Sequence, residues 1–181
     1  MKKGRSIKTR AIKASLGRPP ARKGESLLDW LYKLRDHQVA HQRKGPLVVK
    51  GKDLPWEKNS QGRMQWYLHP AMEDVATRSM LFFRQEIPPR GRSGVQMTPG
   101  GEVIYIVQGR GYTLLDGVKH EWETEDVINI PIRSDGVKVQ HVNLSRTTPV
   151  VLISAELNLV DMLGVNRGAE YKQIEPAPDE A

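Results

Sequence analysis

Between Gly91 and Asn143 the chain changes every few residues from an alternating apolar–polar run to a turn signal, and this rhythm restricts it to β-structure. Side chains two positions apart share one face of a strand, so a run of period two marks a half-buried strand. Val95–Thr98, Glu102–Val107, Tyr112–Leu115, Val118–Trp122, Asp126–Ile130 and Gly136–Asn143 read this way. Pro99-Gly-Gly101, Asp116-Gly117 and Ser134-Asp-Gly136 punctuate them. Asp116-Gly117 is the strongest signal, because a two-residue hairpin turn needs positive φ at both positions. The pattern extends outward to Met64–His69, Ala76–Ile87 and Pro149–Leu157, with turns at His69-Pro70 and Pro88-Pro-Arg-Gly91. Many short strands at this spacing predict a sandwich or barrel. No stretch repeats, so the barrel is single.

Two motifs lie inside this stretch. The first is Gly91-Arg-Ser-Gly-Val-Gln96-Met-Thr98-Pro-Gly-Gly-Glu102, continuing through Val-Ile-Tyr-Ile-Val-Gln to Gly109. The second joins Glu125-Asp126-Val-Ile-Asn-Ile-Pro131 to Gly136-Val-Lys-Val139-Gln-His141-Val-Asn143. Their layout resembles the cupin superfamily, and the Glu102–Gly111 run with the His141-Val-Asn143 ending is most similar to small gentisate dioxygenase-like cupins. The resemblance implies an all-β double-stranded β-helix, a jelly-roll barrel over residues 64–163 with an N-terminal helix ahead of it. It also implies where metal ligands stand in such proteins. Glu102 fits the acidic ligand. Gln96 and Thr98 occupy the two histidine positions of the first motif, and Val139 occupies the histidine position of the second. A first-row ion (Fe, Mn, Ni or Zn) is therefore expected to bind weakly or not at all.

Parity suggests what else faces inward. Val139 and His141 are two apart, so His141 shares the face of the lost ligand position. His120 stands between Val118 and Trp122 at the same spacing, which predicts an inward His120 as well. Gln96, Thr98, Glu102, Val139 and Asn143 are the expected pocket residues, His141 and His120 the candidate acid–base groups, and Glu102 with His141 the candidate metal ligands. A carboxylate with one or two imidazoles suits Fe, Mn or Ni. Three function classes stay open. One is a dioxygenase-like enzyme acting on an aromatic acid, implied by the resemblance. The second is a metal-independent isomerase or lyase using His141 or His120. The third is a non-catalytic barrel that binds a small molecule. Dinucleotide-binding, phosphate-loop and serine-elbow patterns are absent.

The 181 residues divide into a basic tail over 1–25, a helix and connecting segment over 26–63, the barrel, and a C-terminal tail over 164–181. Nine of the 28 Lys and Arg residues fall within the first 24 positions with no acid among them, leaving 19 basic against 21 acidic residues elsewhere. Such a tail reads as a solvated, disordered arm. No aromatic residue interleaves its cations, so nucleic acid is not the expected partner. Ser26 and Asp29 form a capping-box pattern before Leu27, Leu28, Leu31 and Leu34 at helical spacing, and Gly45-Pro46 ends the helix. His37 and His41 share a face of it without a third ligand, and are read as exposed. No run reaches the roughly 20 apolar residues of a membrane span. Cysteine is absent, which excludes thiolate chemistry and fits the reducing cytoplasm where the protein is expected. Leu47–Val49 and Met64–Leu68 would leave an apolar sheet edge, so a homodimer is expected.

Overall fold

The computed structural model describes residues 26–72, 79–158 and 171–178. The basic tail lies outside the described residues, as do 73–78 and 159–170. The chain forms two units, Met1–Ala40 and His41–Ala181.

The first unit holds most of helix α1, Leu27–Lys44. Its start is fixed by a reciprocal cap. The backbone N–H of Asp29 donates to Ser26 Oγ at 3.1 Å, while Ser26 N–H and Ser26 Oγ–H donate to Asp29 Oδ2 at 3.0 and 2.6 Å. These bonds satisfy donors that the first turn leaves without helical partners. Asp29 also sits at the positive end of the helix dipole. Within this unit Leu27, Leu28, Leu31 and Leu34 are exposed.

The second unit is an antiparallel β-barrel of two sheets. In chain order its strands are β1 (Glu57–Asn59), β2 (Gly62–Leu68), β3 (Met80–Ile87), β4 (Val95–Thr98), β5 (Glu102–Gln108), β6 (Arg110–Leu115), β7 (Val118–Glu123), β8 (Val127–Ile130), β9 (Val137–Asn143), β10 (Val150–Leu157) and β11 (Lys172–Glu175). One sheet runs β1-β2-β3-β10-β5-β8 and the other β11-β4-β9-β6-β7. The β6–β7 hairpin turns on Asp116 and Gly117, with φ of 51° and 86°. The Lys138 backbone N–H donates to Asp116 Oδ1 at 2.9 Å, so the turn is tied to β9.

Three features depart from the sequence reading. Glu57–Asn59 forms a strand where only a connection was expected. Lys172–Glu175 forms a strand inside the expected C-terminal tail. β1 pairs with β2 at Gly62–Met64, so it covers the Met64 end of the expected Met64–Leu68 edge. Both unexpected strands are short and lack an apolar face, so periodicity gave no signal for them. β11 is held by backbone pairing with β4 and by Gln173, whose amide donates to the carbonyls of Glu175, Ser60 and Val95 at 2.7, 3.3 and 3.3 Å.

Inward side chains change character along the same strands. On β5 the inward series is Ile106, Ile104, Glu102; on β10 it is Leu152, Ser154, Glu156; on β3 it is Ile87, Gln85, Phe83. The branched members join Ile128, Ile130, Val137, Val139, Val150 and Trp122 in one buried core. The polar members lie toward the other end of these strands. One end of the barrel is thus packed with hydrocarbon, and the other is left with polar groups that need partners.

Candidate functional site

A cavity of about 520 Å³ occupies the polar end. Met64 and Trp66 on β2, Leu81 and Phe83 on β3, and Val139 on β9 supply its apolar wall. Trp66 and Phe83 are cross-strand partners with ring centroids 4.9 Å apart. Gln85, Gln96, Glu102, His141 and Glu156 supply the polar wall, with Tyr171 and Gln173 entering from the segment around β11.

Glu102 and Glu156 are directly opposite on β5 and β10. Facing positions of an antiparallel pair have Cβ atoms about 4.5–5.5 Å apart, so the two carboxyls share one space. Both are at least 96% buried, with relative exposures of 4% and 3%. Burial pushes Glu102 up to about 7, partly countered by the hydrogen bond from Ser154 Oγ. Burial and then the neighbouring Glu102 charge push Glu156 up to about 8, partly countered by the Tyr171 hydroxyl, which donates to Glu156 Oε1 at 2.6 Å. The two titrate as a pair and keep a proton between them at neutral pH.

His141 lies in the same wall, and burial lowers it to about 4, so its ring is neutral. Its tautomer follows from a chain of hydrogen bonds. Trp122 Nε1–H can only donate, and it donates to Thr113 Oγ1 at 2.9 Å. The Thr113 hydroxyl has no other partner among the described residues, so its proton is assigned to His141 Nδ1, 2.8 Å away. The ring proton therefore sits on Nε2, which has no partner among the described residues. The backbone is pinned too, because the N–H of His141 donates to Ser93 Oγ at 2.9 Å.

The other candidates from the sequence divide between the cavity and places outside it. Gln96 and Val139 line the cavity and face each other across β4 and β9. Thr98 does not line it. Thr98 faces Val137 at the hydrocarbon end, and its Oγ1 accepts the Gly100 N–H at 2.8 Å in the turn before β5. Asn143 is also outside the cavity. Its amide donates to the carbonyls of Ile87, Pro88 and Thr148 at 3.1, 3.0 and 2.9 Å, and its Oδ1 accepts from Ser145 N–H at 2.8 Å. It ties loops together. His120 is exposed on β7, the terminal strand of its sheet. Its parity matches that of Thr113 across the ladder, but no element among the described residues covers that part of an edge strand, and Val118 is 59% exposed there.

The residues that sequence reasoning missed are Glu156, Ser154, Gln85, Trp66, Phe83 and Tyr171. Two of them left a readable trace. Ser154 and Glu156 interrupt the apolar run Val150–Leu157 at positions i and i+2 on the inward face of the strand.

No protein-family model and no curated protein matches the chain. Solved structures do. A double-stranded β-helix protein from Klebsiella pneumoniae is similar over 72% of this chain and 98% of its own, at 12% identity and a TM-score of 0.50. A polyketide cyclase from Streptomyces resistomycificus is similar over 71% of this chain and 85% of its own, at 13% identity and a TM-score of 0.52. A cupin-like protein from Thermotoga maritima covers 66% of this chain and 87% of its own, at 15% identity and a TM-score of 0.49. Identities this low speak for fold alone. The barrel has the double-stranded β-helix fold, and a helix precedes it in the chain.

That fold often carries a metal, and the donor set tests whether this one can. Of the four expected ligand positions, Val139 offers no donor and Thr98 is turned into a backbone hydrogen bond outside the cavity. His141 has one nitrogen engaged by Thr113. Among the described residues, no three His, Asp or Glu side chains converge as a metal centre requires. The residues present do not fit a first-row ion. Among the described residues, no helix is long and apolar enough to cross a membrane.

Proposed function

We propose that the barrel binds a small organic molecule and acts on it by metal-independent acid–base chemistry of the isomerase, cyclase or lyase type. The observation that carries this reading is the Glu102–Glu156 pair, set opposite each other and buried on one cavity wall, where burial raises both carboxyls toward neutrality. General acid–base catalysis works best when the group titrates near the working pH. Two carboxyls whose environments push them upward can supply both the base and the acid of a proton transfer. In this scheme the ionised member of the pair takes a proton from the substrate. The protonated member returns one at a second position, and His141 Nε2–H donates a hydrogen bond to charge developing on a substrate oxygen. Trp66, Phe83 and Met64 hold the substrate's apolar part and keep water out.

The gentisate dioxygenase-like chemistry implied by the sequence resemblance has less support. It needs a metal with open positions for substrate and dioxygen, and the donor set described above does not converge on one.

The test is proton exchange. Enolisable ketones, lactones and phenols of suitable size are incubated with the protein in D₂O, and loss of C–H signal is followed by NMR. Exchange with at least one of these compounds is expected, slowed by about 10²–10⁴-fold in Glu102→Gln. Compounds that bind without exchanging, with affinities unchanged in Glu102→Gln and Glu156→Gln, would instead make the barrel a non-catalytic binding module.

A further inference from the structure

We infer that the cavity is built for a small organic cation, an arylalkyl ammonium whose charged nitrogen sits between Glu102 and Glu156 and whose ring lies against Trp66 and Phe83. This rests on the reading of the cavity as a ligand site and does not require catalysis.

Three independent features point the same way. The first is charge. The described residues of the cavity wall include two carboxyls and no Lys or Arg. An anionic ligand would meet no Lys or Arg among these described residues, whereas an ammonium would relieve the repulsion between two buried acids. The second is unused bonding capacity. Ser154 engages one oxygen of Glu102 and Tyr171 one oxygen of Glu156. The second oxygen of each has no partner among the described residues, and both side chains are more than nine-tenths buried in a cavity wall. Gln96, also in the wall, makes no side-chain hydrogen bond among the described residues either. Buried polar atoms normally find partners, so open acceptors in a cavity mark where ligand donors go. An ammonium group has three donor hydrogens and no acceptor, which matches the two open carboxyl oxygens.

The third feature is spacing. Phe83 is paired with Ser154, and Glu156 stands two residues along from Ser154 on the same face. That is one pair-step, about 6.5–7 Å along the strand. Trp66 lies beside Phe83 on the next strand. An aromatic ring with a two- or three-carbon arm to its nitrogen spans this interval. The rings can also attract the cation itself through their faces. A cavity of about 520 Å³ is within the usual range for ligands of this size and larger.

The experiment uses the full chain and three probes of one skeleton: phenethylamine, phenethyl alcohol and 3-phenylpropanoate, titrated by calorimetry. The amine should bind about tenfold or more tightly than the alcohol, and the propanoate should not bind measurably. Glu156→Gln should bring the amine down to the alcohol's affinity, with folding checked by circular dichroism and thermal melting. Gln96→Lys should abolish amine binding and admit the propanoate, which keeps the test decisive if Glu156→Gln does not fold. Alcohol binding equal to the amine, or propanoate binding best, overturns the cation assignment while the cavity stands as a ligand site. If none of the three binds at millimolar concentration, both the cation assignment and the ligand-site reading fall.

Discussion

Thr113 shows how one side chain sets the chemistry of another. Fully buried, it links the Trp122 indole to the His141 ring and so decides which imidazole nitrogen carries the proton. Thr113→Val keeps the volume and strands both partners. The expected cost is about 1–3 kcal/mol, the penalty for buried groups left without a hydrogen bond. ¹⁵N chemical shifts should report the Nε2–H tautomer in the wild type and a mixture in the variant. An unchanged tautomer would show that Thr113 does not set it. The carboxyl pair makes a second prediction at this scale. Glu156 rises from an ordinary 4.5 to about 8, so the native state keeps a proton that the unfolded chain has released. Its contribution to stability is therefore fullest below about pH 4.5 and is lost as pH rises toward about 8. His141 works oppositely. Lowered from 6.5 to about 4, it costs stability as pH falls between those values. Glu156→Gln should melt higher than the wild type at about pH 8, with the advantage shrinking toward about pH 5. A gain of several degrees is expected, since about 1 kcal/mol moves Tm by roughly 2–4 °C in a domain of this size. Parallel melting curves at all pH values would contradict the raised pair.

Among the strands, β11 contributes most to the cavity relative to its own modest packing. All four of its residues are exposed, yet Tyr171 just ahead of it reaches Glu156 and Gln173 lines the wall. Its seat depends on Gly94. A Cβ there would stand 2.6 Å from Gln173 Nε2 and 2.8 Å from the Glu175 carbonyl, distances that real side chains do not reach. Gly94→Ala should cost about 1–3 kcal/mol, as overpacked sites do. It should also unprotect the β11 amides in hydrogen exchange before the rest of the barrel loosens. Uniform protection across both sheets would show that the close approach is relieved without moving β11. The same strand marks where sequence reading stops. Strands such as β5, β9 and β10 were legible, because burial on one face imposes period two on their residues. β11 and β1 were not, because backbone pairing to an edge leaves no apolar pattern. In the site, strand parity accounts for the cavity positions of Gln96, Glu102, Val139 and His141. It could not separate Thr98, which shares that parity but lies at the packed end. Nor could it see that His120 runs past the covering elements, or that Glu156 would meet Glu102, a pairing across 54 positions of sequence set by topology alone.

At the scale of the whole molecule, the outer surface of the larger sheet carries the clearest unused feature. Val103, Tyr105 and Val107 on β5 are 47%, 43% and 40% exposed, and Val127 on the adjacent β8 is 51% exposed. In an antiparallel sheet with one face in water, these outward positions are normally polar. Among the described residues β8 is also the terminal strand of its sheet, with its outer backbone groups open to pairing. A second copy presenting the same patch across a two-fold axis would cover both the apolar face and the edge at once, since such an interface needs only self-complementarity. The homodimer expected from the sequence is therefore argued through β5 and β8 rather than through Met64–Leu68, whose Met64 end pairs with β1. Light scattering at micromolar concentration should give about twice the 20.5 kDa chain mass. Tyr105→Glu combined with Val127→Glu should reduce it to one chain. Because these side chains point away from the cavity, ligand affinity should be unchanged in the variant. A wild-type protein that scatters as a monomer would remove the dimer. A dimer that survives both substitutions would place the interface on another face.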